Sequence, residues 1–189
     1  MNPLTNTLRC AFTLIALLSG YAAAAENLDV TFSANIRETT CDIKIDGGTG
    51  DGANNTILLG TDGKTRVDYI AGGNIQSPFK LVITECPSSL STLKTSISGT
   101  ASTMSTALDN SITKAAGGAE NVGLSIARTS ATGSPFEINS NDDSKRLVWT
   151  PEEILNKQVD LTAFLVETLS GGATTGEFKT LAIFNFTYE

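Results

Sequence analysis

Hydrophobic and polar residues alternate along much of this chain with a period of two, the spacing of a strand with one face in a core and the other in water. The clearest case lies near the front. Leu28, Val30, Phe32, Ala34 and Ile36 take every even position, while Asn27, Asp29, Thr31, Ser33, Asn35 and Arg37 take every odd one. Similar runs predict strands at 41–45, 56–59, 65–70, 79–84, 93–98, 122–127, 146–149, 159–166 and 178–188. Each is a β-branched, aromatic or alternating run bounded by Gly, Asn, Asp, Ser or Pro, the punctuation of turns between strands. So many short strands argue for an all-β sandwich. Residues 104–116 and 151–157 each allow a turn or two of helix, and no repeat or long linker divides the chain.

The last run is the most apolar. Ala182, Phe184, Phe186 and Tyr188 line one face, with Phe178 at its start, while Leu181 and Ile183 partly occupy the other; only Glu189 follows. A strand apolar on both faces calls for a neighbour on each edge and for cover above and below. If an immunoglobulin-like sandwich ends here, its last strand is missing and a hydrophobic groove lies open along 178–188. The alternating run at the front is a spare strand, and the two features are complementary.

The first residues fix a compartment. One positive charge up to Arg9, an apolar run from Cys10 to Leu18 and small residues from Ser19 to Ala25 read as a secretory signal, cleaved near Ala25. The apolar run is far short of the ~20 residues that span a bilayer, so the mature chain is expected not to be membrane-embedded. Removing 25 of the 189 residues leaves 164, enough for one domain with a core. Twelve basic residues then face 20 acidic ones, and no basic patch for nucleic acid or an anionic lipid surface is visible. Cys41 and Cys86 are the mature cysteines, an even pair in an exported chain, which reads as one disulfide.

Candidate chemistry mostly falls away on inspection. Gly63-Lys64-Thr65 has the end of a phosphate-binding loop, but Leu58 stands where that motif needs glycine. The glycines of GGTGDGANN (residues 47–55) lack the strand-then-helix setting of a dinucleotide site and read as a hairpin loop. The chain contains no histidine, which removes the commonest general base and most zinc sites. Asp142-Asp143 and Glu152-Glu153 read as solvated loop carboxylates. The expectation is no enzyme, no metal and no cofactor.

The ordered blocks carry a family likeness. An alternating extension precedes Cys41; the block PFKLVITEC runs from Pro78 to Cys86; and GLSI (Gly123 to Ile126), LVWT (Leu147 to Thr150) and LTAF (Leu161 to Phe164) follow. The chain closes on Ala182-x-Phe184-x-Phe186-x-Tyr188. In this set the chain resembles subunits of chaperone-usher fimbriae, type 1-like pilins in particular. One departure is Ala34, where these pilins usually carry glycine in the donor stripe.

The resemblance implies an incomplete immunoglobulin-like fold lacking its seventh strand, with a signal peptide at 1–25, a donor-strand extension at 26–40 and a pilin domain at 41–189. It implies that a periplasmic chaperone lends a strand to the groove of Phe178, Ala182, Phe184, Phe186 and Tyr188, and anchors the carboxylate of Glu189. At an outer-membrane usher, the extension of the next subunit would replace that strand, inserting Leu28, Val30, Phe32, Ala34 and Ile36. The expected partners are therefore chaperone, usher and adjacent fimbrial subunits, and the expected place is a fimbrium at the cell surface. Two alternatives stand beside this. The stripe at 28–36 could be the first strand of a self-contained sandwich, and the chain could be a receptor-binding adhesive subunit whose loops GGTGDGANN or SNDDS contact a host ligand.

Overall fold

A computed structural model describes residues 40–188. The stripe at 28–36, the signal at 1–25 and Glu189 lie outside the described residues. In chain order the elements are β1 (Asp42–Asp46), β2 (Thr49–Gly50), β3 (Asn55–Thr56), α1 (Val67–Ala71), β4 (Gln76–Glu85) and β5 (Leu93–Ser98). They continue with β6 (Val122–Arg128), β7 (Leu147–Val148), α2 (Pro151–Leu155), β8 (Gln158–Glu167) and β9 (Ile183–Tyr188). The fold is all-β and immunoglobulin-like, with antiparallel pairing in every sheet.

One sheet runs β1-β4-β8-β6 and the other β7-β5-β9, with β2 and β3 forming a small separate hairpin. Alternation in sequence becomes alternation in space. Phe79 and Leu81 of β4 stand across from Leu161 and Val159 of β8, and Ile83 stands across from Ile43 of β1. The buried side chains of both sheets, among them Leu81, Leu93, Ile97, Leu147 and Leu161, merge into one core with Trp149. The indole N–H of Trp149 donates to Thr95 Oγ1 at 2.9 Å, satisfying a polar pair inside the apolar layer. The Cys41–Cys86 disulfide ties the start of β1 to the residue after β4, with the Cα atoms 4.3 Å apart.

The flank beside β6 is closed by loops. Leu108 and Leu124 exchange backbone hydrogen bonds at 2.8 and 2.9 Å, and the Phe136 N–H donates to the Ile126 carbonyl at 2.9 Å. Three residues further along, the Asn139 N–H reaches the Ile97 carbonyl of the other sheet at 2.8 Å. These segments use the free edge of β6 and stitch the two sheets together there.

Four expectations change. Residues 65–70 form no strand; instead α1 turns once, which sends Ile70 alone into the core while Arg66 pairs with Asp68 at 2.8 Å and lies 5.3 Å from the Tyr69 ring centre. Residues 104–116 are not a helix, apart from one 3-10 turn at Lys114–Ala116, because pairing of Leu108 with Leu124 overrides the local propensity. The strand expected at 178–188 begins only at Ile183. The strand expected at 56–59 shrinks to Asn55–Thr56. The helix expected at 151–157 is present as α2: Thr150 accepts from the Glu153 N–H and Glu153 reaches back to the Thr150 N–H at 2.8 Å, with Pro151 opening the helix.

Candidate functional site: an open sheet edge

The flank opposite β6 is built differently. β9 pairs along its whole length with β5, from Ser98 opposite Ile183 to Leu93 opposite Tyr188, and with no other strand among the described residues. Its inward side chains, Phe184, Phe186 and Tyr188, pack against the core but stay only half-buried. A strand inside a closed sandwich hides such a stripe; this one is covered from one side only.

Across the gap stand the half-buried Ile43 and Ile45 of β1, followed by Ile57 and Leu59. Residues 56–59 alternate as expected, with Ile57 and Leu59 turned to the core and Leu58 60% exposed, yet only the first of them forms a ladder. A single physical reason accounts for this and for the half-buried stripe of β9. Both segments face the same gap, and no strand among the described residues lies between them to complete either ladder.

The gap is shaped along its length. At one end the Tyr188 hydroxyl donates to the Cys41 carbonyl at 3.2 Å, bridging it with a phenol ring. Burial pushes that phenol above its ordinary pKa, so it remains a protonated donor at neutral pH. In the middle the Phe184 ring sits 5.9 Å from the Phe79 ring, tilted by 55°. Beyond Phe184 a cavity of about 130 Å³ opens, lined by Ile45, Ile57, Leu59, Ala163 and Ala182 among others. Leu124, Ile126, Phe79 and Phe184 also line it, with Asn55 and Thr180 among its walls, so it is a mostly apolar chamber.

Of the residues singled out in the sequence, Ala182, Phe184, Phe186 and Tyr188 share this edge, and Phe178 packs against the core ahead of it without lining the cavity. Leu28, Val30, Phe32, Ala34, Ile36 and Glu189 fall outside the described residues. The outer face of β9 is not covered: Ile183 is 49% exposed, beside polar neighbours such as Asn185, which donates to Ser98 Oγ at 2.7 Å. Ile57, Leu59, Leu124, Ile126 and Ala163 were not singled out in the sequence as belonging to a site. Only the alternation at 56–59 hinted at the far wall.

The other candidate chemistry is structural. Asp142 caps its own turn through Ser144, and Asp143 pairs with Arg146 and Lys94. Among the described residues no cluster of His, Cys, Asp and Glu could hold a metal, and no helix is long and apolar enough to cross a membrane. The hairpin of β2 and β3 is pinned by Asn55, whose side chain donates to the Gly47 carbonyl at 2.8 Å and accepts from the Gly52 N–H at 2.8 Å.

Comparison with known proteins places this architecture. A family model described as "Fimbrial protein" matches residues 30–189. A fimbrial-like protein of Escherichia coli K12, YadM, is 31% identical over 93% of this chain and 94% of its own. The minor fimbrial subunit HifD of Haemophilus influenzae is 28% identical over 93% of this chain and 80% of its own. Among solved structures, the P pilus rod subunit PapA superposes with a TM-score of 0.54 at 19% identity, covering 85% of this chain and all of that one.

Proposed function

From the premise that this chain belongs to the fimbrial protein family, and so is a structural, non-enzymatic pilus subunit of the cell surface, we propose that it is assembled by donor-strand exchange. A periplasmic chaperone first lends a strand to the open edge, an outer-membrane usher receives the complex, and the N-terminal extension of another subunit then replaces the lent strand. The finished fibre mediates adhesion.

The observation that carries this reading is the edge itself: β9 has a ladder on one side only, over a half-buried apolar stripe and an empty chamber. Strand addition satisfies all three at once. Main-chain hydrogen bonds complete the ladders, and every second side chain of the incoming strand enters the apolar gap. An edge of this kind left open in solution is an aggregation hazard, which is the physical need a chaperone would meet. The stripe at 28–36 is the complementary piece, to be donated rather than kept.

The test is Phe32→Asp in the full chain, co-expressed with its chaperone. A carboxylate buried in an apolar groove is heavily penalised. The expected result is a chain captured by the chaperone at wild-type level that no longer enters dissociation-resistant multimers. Undiminished multimer formation would overturn the donor role of 28–36.

A further inference from the structure

The outer face of the larger sheet carries a cleft of a different kind. Asp46 of β1, Lys80 of β4 and Asp160 of β8 form one row across three strands, Asp46 opposite Lys80 and Lys80 opposite Asp160. Phe79, Leu81, Val159 and Leu161, on either side of that row in sequence, are buried in the core, so the row itself faces outward. α2 and the turn after β6 stand beside it, and together they bound a cleft of about 760 Å³. That is within the range of ~300–1,000 Å³ usual for small-molecule sites.

The walls are held from within. Arg128 donates to the Glu153 carboxylate at 3.0 and 2.8 Å and to the Val148 carbonyl at 2.7 Å, while Glu153 also caps α2. Lys80 pairs with Asp160 at 3.1 Å. Both cations of the cleft are thereby matched. Asp46, Glu152, Asn156 and Gln158 line it as well, and their side chains make no hydrogen bond or ion pair among the described residues. Pro78, half-buried on the same face of β4 as Lys80, adds an apolar ring to the lining.

This inventory selects a ligand. Two carboxylates that accept and two amides that both accept and donate are open to a guest, and none has to give up a partner to bind it. A saccharide matches that set, since its hydroxyls donate and accept around the edge of the ring and its C–H groups offer a face to Pro78. A simple ammonium would satisfy the carboxylates and leave the amides idle. An anionic sugar would meet two unmatched carboxylates, with Lys80 and Arg128 already engaged. We propose that the cleft between β4, β8 and α2 binds a neutral oligosaccharide. The site lies within one subunit and stands whether or not the open edge accepts a donated strand.

The experiment is saturation-transfer NMR on the full-length exported chain, with lactose, mannotriose and diacetylchitobiose as neutral probes and sialyllactose as the anionic counterpart of lactose. At least one neutral probe is expected to take up saturation, and sialyllactose to bind no better than lactose. Asn156→Ala and Gln158→Ala should each weaken the neutral probe at least ten-fold. Neither side chain has a partner to lose, so the Trp149 emission should stay that of the parent; Glu152→Ala replaces either variant in which it shifts. Three results would each overturn the proposal: no binding of any neutral probe, tighter binding of sialyllactose than of lactose, or a neutral probe whose affinity these substitutions leave unchanged.

Discussion

Filling the chamber from within should separate the fold from its use. Ala163 lies on the core face of β8, opposite Ile126 of β6, and lines the cavity. Ala163→Leu adds three carbons into that space. At roughly 0.8 kcal/mol per buried carbon the gain is about 2.4 kcal/mol. A void of about 130 Å³ at about 24 cal/mol per Å³ sets a ceiling near 3 kcal/mol, so the two estimates agree on a stabilisation of about 2 kcal/mol. Urea unfolding of the mature chain, followed by the fluorescence of the buried Trp149, measures it as a rise in midpoint with unchanged slope. The same substitution removes the space into which a donated side chain would descend, so multimer formation should fall at least ten-fold. A loss of stability beyond about 1 kcal/mol, the signature of overpacking, would show that the chamber is already full. A gain in stability with undiminished assembly would show that partners do not enter there.

Other parts of the fold make separate predictions. Replacing Cys41 and Cys86 together by serine opens a loop with a sequence separation of 45 and should cost about 4 kcal/mol by the chain-entropy relation, read in the same urea assay. Thr95→Val leaves the Trp149 N–H unpaired in the core and should cost about 1–3 kcal/mol, with a shifted emission maximum of the chain's only tryptophan. Burial pushes the Glu153 carboxyl up, but the Arg128 guanidinium and the Thr150 N–H together hold it below its usual range. A depressed folded value means that its stabilisation is complete above the ordinary Glu range near 4.5 and is lost as pH falls through the folded value. Glu153→Gln should therefore be less stable than the parent at pH 7 and show a flatter decline below pH ~4.5, read by thermal unfolding across pH.

Much of the fold was legible from period-two patterning, because strands with one face in a core must alternate. β5 has the bounds that the pattern of 93–98 marks, and β4, β6 and β8 differ from theirs by one to three residues at an end. α2 was legible for a local reason too, since Thr150, Pro151 and Glu153 form a cap among themselves. α1 was not. Val67 and Tyr69 alternate as well as any strand, and what decides for a helical turn is Ile70 dropping into a core assembled from distant strands. The first half of 178–188 failed similarly: Lys179 donates to Asn110 Oδ1 at 3.0 Å and accepts from Ser111 at 2.7 Å, bonds to a loop that no local pattern announces. One wall of the site, from Ala182 to Tyr188, could be read as an apolar stripe. Its chamber could not, because Leu124, Ile126 and Ala163 look like ordinary core residues until the gap between Ile57 and β9 is seen beside them.

The most direct measurement is residue-resolved amide hydrogen exchange of Ile183–Tyr188 in the chain alone and again after a partner strand has been added. In an antiparallel strand, alternate amides point to opposite edges. In the chain alone, the amides aimed at β5 should be protected with the core, while those aimed at the gap exchange at nearly the rate of an unstructured peptide; partner addition should slow the latter by a thousand-fold or more. Full protection of all these amides in a monomer with no second chain present would contradict the account.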